Sequence, residues 1–262
     1  MTLNQLPLIP TPPMNNEELR LSEQLAQLHL SFIEQNHQTL AAQAAREQWT
    51  HEQYLGRLIE GESQARQDRC IARRIAAARF PLIKTLDQFD WNWPKKINRP
   101  QVQHLFSLAF LKEKANVTFV GGVGLGKSHL AIALGHAACL KGHSVLFTTA
   151  VEAINTLAAA QAQSRLKTEL KKFLAPTVLV CDELGYLPID KNGADLLFQI
   201  ISGRYEKGST LITTNLIYKH WSRIFNNDSS ITSAVLDRLL HHAETVLVEG
   251  KSYRMRDQID EP

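Results

Sequence analysis

The sequence predicts an α/β fold, a parallel sheet of five strands with helices on both faces, preceded by a small all-helical domain. Three observations predict it. Residues 121–128 read Gly121-Gly122-Val123-Gly124-Leu125-Gly126-Lys127-Ser128, which fits the phosphate-loop pattern G-x-x-x-x-G-K-[ST] in full. A short apolar run precedes that loop and a helical pattern follows it, the setting the motif requires. Further along, β-branched apolar runs alternate with helical segments, an order met by parallel strands joined through crossover helices.

In chain order, the first sixteen residues hold Pro7, Pro10, Pro12 and Pro13 and read as a loose leader. Leu21, Leu25, Leu28 and Phe32 then recur at helical spacing. A second helix opens at Thr50, whose hydroxyl caps it while Gln53 completes a capping box, and it runs to Ala78 before Phe80-Pro81 ends it. From Leu55 to Lys84 this stretch is basic, with Arg57, Arg66, Arg69, Arg73, Arg74, Arg79 and Lys84 against Glu60, Glu62 and Asp68. Arg66, Arg69, Arg73 and Arg74 crowd about two helical turns around one acid, Asp68, a density of guanidinium groups suited to meeting phosphate. Asp87 to Pro100, rich in proline and aromatic residues, reads as a connector. The expected organisation is a leader over 1–16, a helical domain over 17–84 and an α/β domain over 85–262.

Within the α/β domain the expected strands are Asn116 to Gly121, Ser144 to Thr149, Thr177 to Asp182, Ser209 to Thr214 and Thr245 to Glu249. The helix after the phosphate loop, His129 to Lys141, can stop at Gly142 in a left-handed turn. Thr149 and Glu152 form a second capping box. It opens the helical stretch that carries Arg165, Lys167, Lys171 and Lys172, the alternative cationic set for a nucleic-acid contact. About a dozen residues follow the last strand, too few for a helical lid.

The chemistry follows from residue type and placement. Glycines let the backbone N–H groups wrap phosphates, Lys127 reaches the terminal phosphates, and the Ser128 hydroxyl is placed for Mg²⁺. The apolar run from Thr177 to Cys181 ends in Asp182-Glu183. A hard divalent ion shared with substrate phosphates needs an acid at the carboxyl end of a strand beside the loop, which is where Asp182 falls. Glu183 is the better water activator. Together the two motifs argue for nucleotide hydrolysis rather than storage, and Asp190-Lys191-Asn192-Gly193-Ala194-Asp195 scrambles rather than matches the N-K-x-D pattern of guanine readers.

Composition excludes other classes. Hydrophobic residues make up 44% and charged residues 21%, ordinary for a globular chain. No apolar run approaches the ~18 residues that span a bilayer, and the first residues lack a signal peptide's basic start and long apolar stretch. A cytoplasmic protein without a membrane partner is expected. Cys70, Cys139 and Cys181 are too scattered for a disulfide framework or zinc site. His241 and His242 are adjacent and cannot share a helix face, so no metal-ligand spacing stands out among the histidines. The net charge of +3 says little about partners.

Three further segments carry a resemblance. Thr213-Thr214-Asn215 ends the fourth strand with a polar residue where an AAA+ ATPase places sensor 1. Leu236-Asp237-Arg238-Leu239-Leu240 resembles the arginine-finger segment of DnaC-type helicase loaders, and Ser252-Tyr253-Arg254 looks like their sensor 2. The runs LDQFDW, GKSHLAIALGHAAC, DELGYLPID, ADLLFQIISGRYE and LDRLLHHAE are similar to the IstB family, the ATP-binding helpers of insertion-sequence transposition, over roughly Gln53 to Arg256. Gly122-Val123 departs from the family's usual prolines without removing a ligand. The resemblance implies an AAA+ fold, ATP and Mg²⁺ as ligands, homo-oligomeric assembly on duplex DNA with ATP sites between subunits, and cooperation with a DDE-type transposase of the same element. It implies phosphate and Mg²⁺ held by Lys127 and Ser128, Mg²⁺ by Asp182, and Glu183 as catalytic base. Asn215 would position the water, Arg238 would reach a neighbouring subunit's ATP, and Arg254 would touch phosphate. A helicase loader of replication and an ATP-dependent DNA clamp with slow hydrolysis use the same residues.

Overall fold

The structure, a computed structural model, describes residues 16–253. They form two compact units that divide between Cys70 and Ile71, inside a long helix, upstream of the 84/85 limit set from sequence.

The first unit is helical. α1 (Asn16–Gln27), α2 (Ser31–Glu47) and the start of α3 (His51–Ala78) pack Leu25, Ile33 and Leu58 together, with Leu30, Leu40 and Tyr54 against them. The apolar spacing from Leu21 to Phe32 does not make one helix. His29 takes a left-handed conformation between α1 and α2, and of the stripe Leu25 is buried whereas Leu21 and Leu28 stay exposed. The predicted capping box does form, with Thr50 Oγ1 accepting from Gln53 N at 3.2 Å and Gln53 Oε1 from Thr50 N at 2.8 Å. Glu62 is buried. Its carboxylate accepts the N–H groups of Phe32 at 2.8 Å and Ile33 at 3.4 Å, satisfying donors that the first turn of α2 leaves open.

The second unit is a six-stranded sheet in the order β1-β6-β2-β5-β4-β3. Its strands are β1 (Lys96–Ile97), β2 (Asn116–Gly121), β3 (Val145–Thr149), β4 (Val178–Leu184), β5 (Ser209–Thr214) and β6 (Ala243–Glu249). All neighbours run parallel except β1, which pairs antiparallel with β6 through Lys96–Glu249 and Ile97–Val248. The sequence predicts five strands, and β1 is the addition. Two residues between prolines carry no alternation to read.

The helices are α4 (Arg99–Leu105), α5 (Lys127–Leu140), α6 (Ala150–Ala162), α7 (Leu166–Leu174), α8 (Lys191–Arg204) and α9 (Ser229–Leu240). Strand side chains alternate between the two faces of the sheet. Val117, Phe119, Val178, Val180 and Val246 pack with Leu130 and Leu134 of α5; Cys181 and Ile212 pack with Leu197 of α8 and Val235 of α9, and Leu179 with Leu157 of α6. Burial pushes the Cys139 and Cys181 thiols up to about 11 and about 12, as expected of packing residues. Thr149 caps α6 by accepting from Glu152 N at 3.1 Å, but the Glu152 side chain does not return the bond and instead approaches Thr148 Oγ1.

At the amino-terminal end of the strands the buried Arg204 collects carbonyls. Its guanidinium donates to the carbonyls of Phe173 and Pro176 at 2.9 Å, Ser209 at 2.7 Å and Thr177 at 3.2 Å. Burial lowers its pKa to about 10. Among the described residues no helix is long and apolar enough to cross a membrane.

Candidate nucleotide site

β2 delivers the chain into the loop, and α5 receives it at Lys127. Gly124 (φ +72°) and Gly126 (φ +85°) hold left-handed backbone; a Cβ there would also run into Ser252 Oγ at the first and, at 2.6 Å, Phe89 Cε2 at the second. Both positions therefore need glycine for conformation and for space. Lys127 is buried, and its Nζ donates to the Gly122 carbonyl at 2.6 Å and approaches the Tyr186 hydroxyl at 3.4 Å.

β4 brings the acids alongside. Ser128 Oγ donates to Asp182 Oδ1 at 2.8 Å, and the buried Thr213 of β5 donates its hydroxyl to the same oxygen. The β4–β5 register slips between Cys181 and Leu184, and Glu183 takes φ +62° with its N–H held by Thr213 Oγ1 at 3.0 Å. This bulge keeps Asp182 buried and turns Glu183 out to solvent, so the two neighbouring acids serve different places. A hydroxyl and a carboxylate in mutual hydrogen-bond reach, beside a loop that receives phosphates, fit the oxygen-rich shell of Mg²⁺.

The loop, Lys127, Ser128 and Glu183 line a cavity of about 450 Å³ whose other wall is Lys84, Gln88, Phe89, Asp90, Trp93, Tyr186 and Tyr253. The volume is in the range of small-molecule sites. Trp93 and Tyr253 meet edge to face at 5.3 Å, as do Phe89 and His129 at 5.5 Å, giving apolar surface that a purine can stack on. His129 Nε2 donates to the Thr85 carbonyl at 2.8 Å. Burial is the main cause that lowers the pKa of this histidine, with Lys84 adding to it.

Asn215 follows β5 directly, and its side-chain oxygen is buried without a hydrogen-bond partner among the described residues. A buried polar atom left open costs free energy, so this oxygen marks a place for a ligand or ordered water at the carboxyl end of β5; Asn215 is not among the residues that line the cavity. Tyr253 N donates to the Gly124 carbonyl at 2.8 Å, which holds Tyr253 against the loop; Arg254 lies outside the described residues.

Arg238 is elsewhere. On the last turn of α9 it donates to the Ala234 carbonyl at 2.9 Å and lies 5.0 Å over the Phe198 ring, in a small cleft with Asn116, Glu206 and His242. Asn116 begins β2 and Gly121 ends it, so the length of a strand, about 16 Å, separates this cleft from the chain's own phosphate loop. Among the described residues Arg238 makes no carboxylate ion pair within the chain, not even with Asp237.

With this geometry in place, comparison with known sequences is decisive. Residues 23–260 match the model of the IstB-like ATP-binding protein. The chain belongs to the IstB-like family. It is 36% identical over 239 residues to a protein of insertion sequence IS5376 of Geobacillus stearothermophilus named for ATP binding, covering 91% of this chain and 95% of that one. It is 37% identical to the corresponding protein of IS21 of Pseudomonas aeruginosa, covering 89% and 88%. A crystal structure of the DnaC helicase loader superposes with a TM-score of 0.52 at 26% identity, over 68% of this chain and 99% of that one. The replication initiator DnaA bound to AMPPCP and single-stranded DNA gives a TM-score of 0.53 at 17% identity, over 64% and 50%, which speaks to fold alone. The fold of this IstB-like chain is that of AAA+ proteins.

The cationic residues proposed from sequence differ in what they do. Arg66 and Arg73 are exposed on α3 and Arg74 is half-buried. Arg69 is committed: it bonds Glu62 at 2.8 Å and Ser31 Oγ at 2.6 Å. In and before α7, Lys167 and Lys171 are exposed, Lys172 pairs with Glu169 at 2.8 Å, and Arg165 bonds Gln163. The residues that sequence reasoning missed are Thr213, which couples both acids, and the wall formed by Phe89, Trp93, Tyr186 and Tyr253. The prolines around Phe89 and Trp93 favour reading that stretch as a connector.

Proposed function

We propose that the protein binds ATP with Mg²⁺ and hydrolyses it to ADP and phosphate within a homo-oligomer on duplex DNA, in the service of a DDE-type transposase of the same element. The observation that carries the reading is the convergence of Lys127, Ser128 and Glu183 on one cavity, with Ser128 bonded to the buried Asp182 behind it. In it the loop N–H groups and Lys127 would hold the β- and γ-phosphates, with Nζ exchanging its Gly122 partner for phosphate oxygen. Ser128 and Asp182 would hold Mg²⁺, which supplies charge neutralisation at the phosphates. Glu183 takes a proton from a water that Asn215 orients, the water oxygen bonds to the γ-phosphorus, and the β–γ bridging bond breaks.

Arg238, too distant from its own loop, completes the site of a neighbouring subunit, where its guanidinium stabilises charge on the transferring phosphoryl group. Names of the relatives support the insertion-sequence setting, and exposed Arg66 and Arg73 support a phosphate-backbone contact with duplex DNA. Likeness to the DnaC loader keeps a second reading, helicase loading, which differs only in partner. Glu183→Gln tests the enzymatic reading: nucleotide binding should persist while turnover falls about 10²- to 10⁴-fold. Wild-type turnover in that variant would remove Glu183 as the base.

A further inference from the structure

At the opposite end of the strands from the phosphate loop, the turn that ends α8 meets the turn that ends α9. Glu206, His241 and His242 each present a ligand atom there, and the three atoms lie within 4.8 Å of one another. The two imidazole centroids are 4.2 Å apart. Adjacent residues diverge by about 100° on a helix, which is why spacing alone does not pair these histidines. Here α9 ends at Leu240, so His242 is off the helix and its ring comes back beside His241.

Glu206 holds φ +57°, left-handed backbone that favours glycine and penalises a side chain. Nine other described non-glycine residues also have positive φ, so this strain fixes the Glu206 backbone at the turn without by itself marking a ligand. The Tyr205 hydroxyl lies 3.0 Å from His241 Nδ1, a partner that restrains the ring in the way outer groups orient metal ligands.

Two imidazoles and one carboxylate suit transition ions, whereas Mg²⁺ and Ca²⁺ take oxygen shells. We propose that Glu206, His241 and His242 form a three-ligand site for a divalent ion of the zinc class, its fourth position open to water or to a group from outside. All three residues are exposed, so the ion exchanges with solvent. Glu206 and His242 share their cleft with Arg238, and a bound dication therefore adds positive charge beside the arginine assigned to the neighbouring subunit. That consequence rests on the proposed function; the metal site does not.

The test is titration of the full chain, without nucleotide, by Zn²⁺ against a chromophoric chelator and by Co²⁺ read through its visible absorption. Wild type should bind one equivalent that competes with the chelator. His241→Ala and His242→Ala should each weaken it by at least the roughly tenfold that loss of an outer partner alone can cost. Glu206→Gly separates ligation from folding, because glycine relieves the left-handed strain. It should melt no lower than wild type in chelator, yet lose the zinc-induced rise in Tm and the cobalt absorption. Unchanged binding in Glu206→Gly, or in the doubly substituted His241→Ala/His242→Ala chain, overturns the proposal. ATP turnover that ignores zinc, with binding lost in these variants, leaves the site standing and removes only its coupling to Arg238.

Discussion

Thr213→Val exchanges one hydroxyl for a methyl at a fully buried position of β5 and leaves the shape almost unchanged. The hydroxyl it removes makes two bonds, one donated to Asp182 Oδ1 and one accepted from Glu183 N. A bond to a charged acceptor contributes about 1.5–3 kcal/mol and a neutral one about 0.5–1.5, so the variant should lose about 2–4 kcal/mol. At about 2–4 °C per kcal/mol for a unit of this size, Tm should fall by about 4–16 °C. Turnover should fall as well, by about tenfold or more, because Asp182 and Glu183 lose a shared restraint and small displacements at a reacting centre are costly. Thr214→Val is the control. Thr214 Oγ1 accepts from Leu216 N at 3.1 Å and bonds neither acid, so that variant should lose stability with turnover intact. Thermal unfolding with and without Mg²⁺-ATP, together with steady-state phosphate release, measures both effects. Thr213→Val with a wild-type Tm and wild-type turnover would refute the role assigned to this hydroxyl.

Other consequences follow from charge and burial. Burial raises the Glu62 carboxyl, but the Arg69 bond, the Phe32 and Ile33 N–H groups and the Arg69 charge together hold it below its ordinary value of 4.5. A depressed carboxyl stabilises the fold above its unfolded pKa and loses that contribution as pH falls through the folded one. Protection of the Phe32 and Ile33 amides, taken relative to the intrinsic exchange rate at each pH, should therefore hold at neutral pH and be lost selectively as pH falls below the ordinary carboxyl value of 4.5 and through the depressed folded one; a flat protection profile would contradict it. Joint substitution of Arg66, Arg73 and Arg74 by alanine should weaken duplex binding across sequences and flatten the salt slope by about 0.9 for each phosphate no longer neutralised, measured with ATP present. Arg69→Ala instead should first loosen the helical unit, since it leaves buried Glu62 without its cation, seen as a lower Tm before any change in DNA affinity. Arg204→Met should cost about 3 kcal/mol or more, because several buried carbonyls lose their donor at once, and chemical denaturation would show it.

The parts of the molecule that were legible in the sequence are those where one residue type answers one physical demand. Gly124 and Gly126 must be glycine, and a β-branched run leading into Asp182-Glu183 must be a strand that brings acids to the loop, although β4 continues through both acids to Leu184. Five parallel strands follow from the same alternation. What was not legible depends on register and turn geometry. The bulge that separates Asp182 from Glu183 comes from pairing with β5, and Thr213 reads locally as an ordinary strand residue. β1 exists only because β6 offers an edge. The wall of Phe89 and Trp93 is recruited from a stretch that looks like a connector, and Arg69 reads as one more surface cation until Glu62 is seen to be buried beneath it.

Under the proposed function, a complete ATP site needs a loop from one subunit and Arg238 from the next. Lys127→Ala removes the loop's cation and keeps the arginine; Arg238→Ala does the reverse. Each alone should be inactive, while a mixture contains interfaces that pair an intact loop with an intact arginine. Phosphate release by equal mixtures, in assemblies shown by cross-linking to contain both variants, measures it. Recovery toward about a quarter of wild-type turnover is expected for random pairing around a closed or helical assembly. No recovery in such mixed assemblies would contradict the shared site.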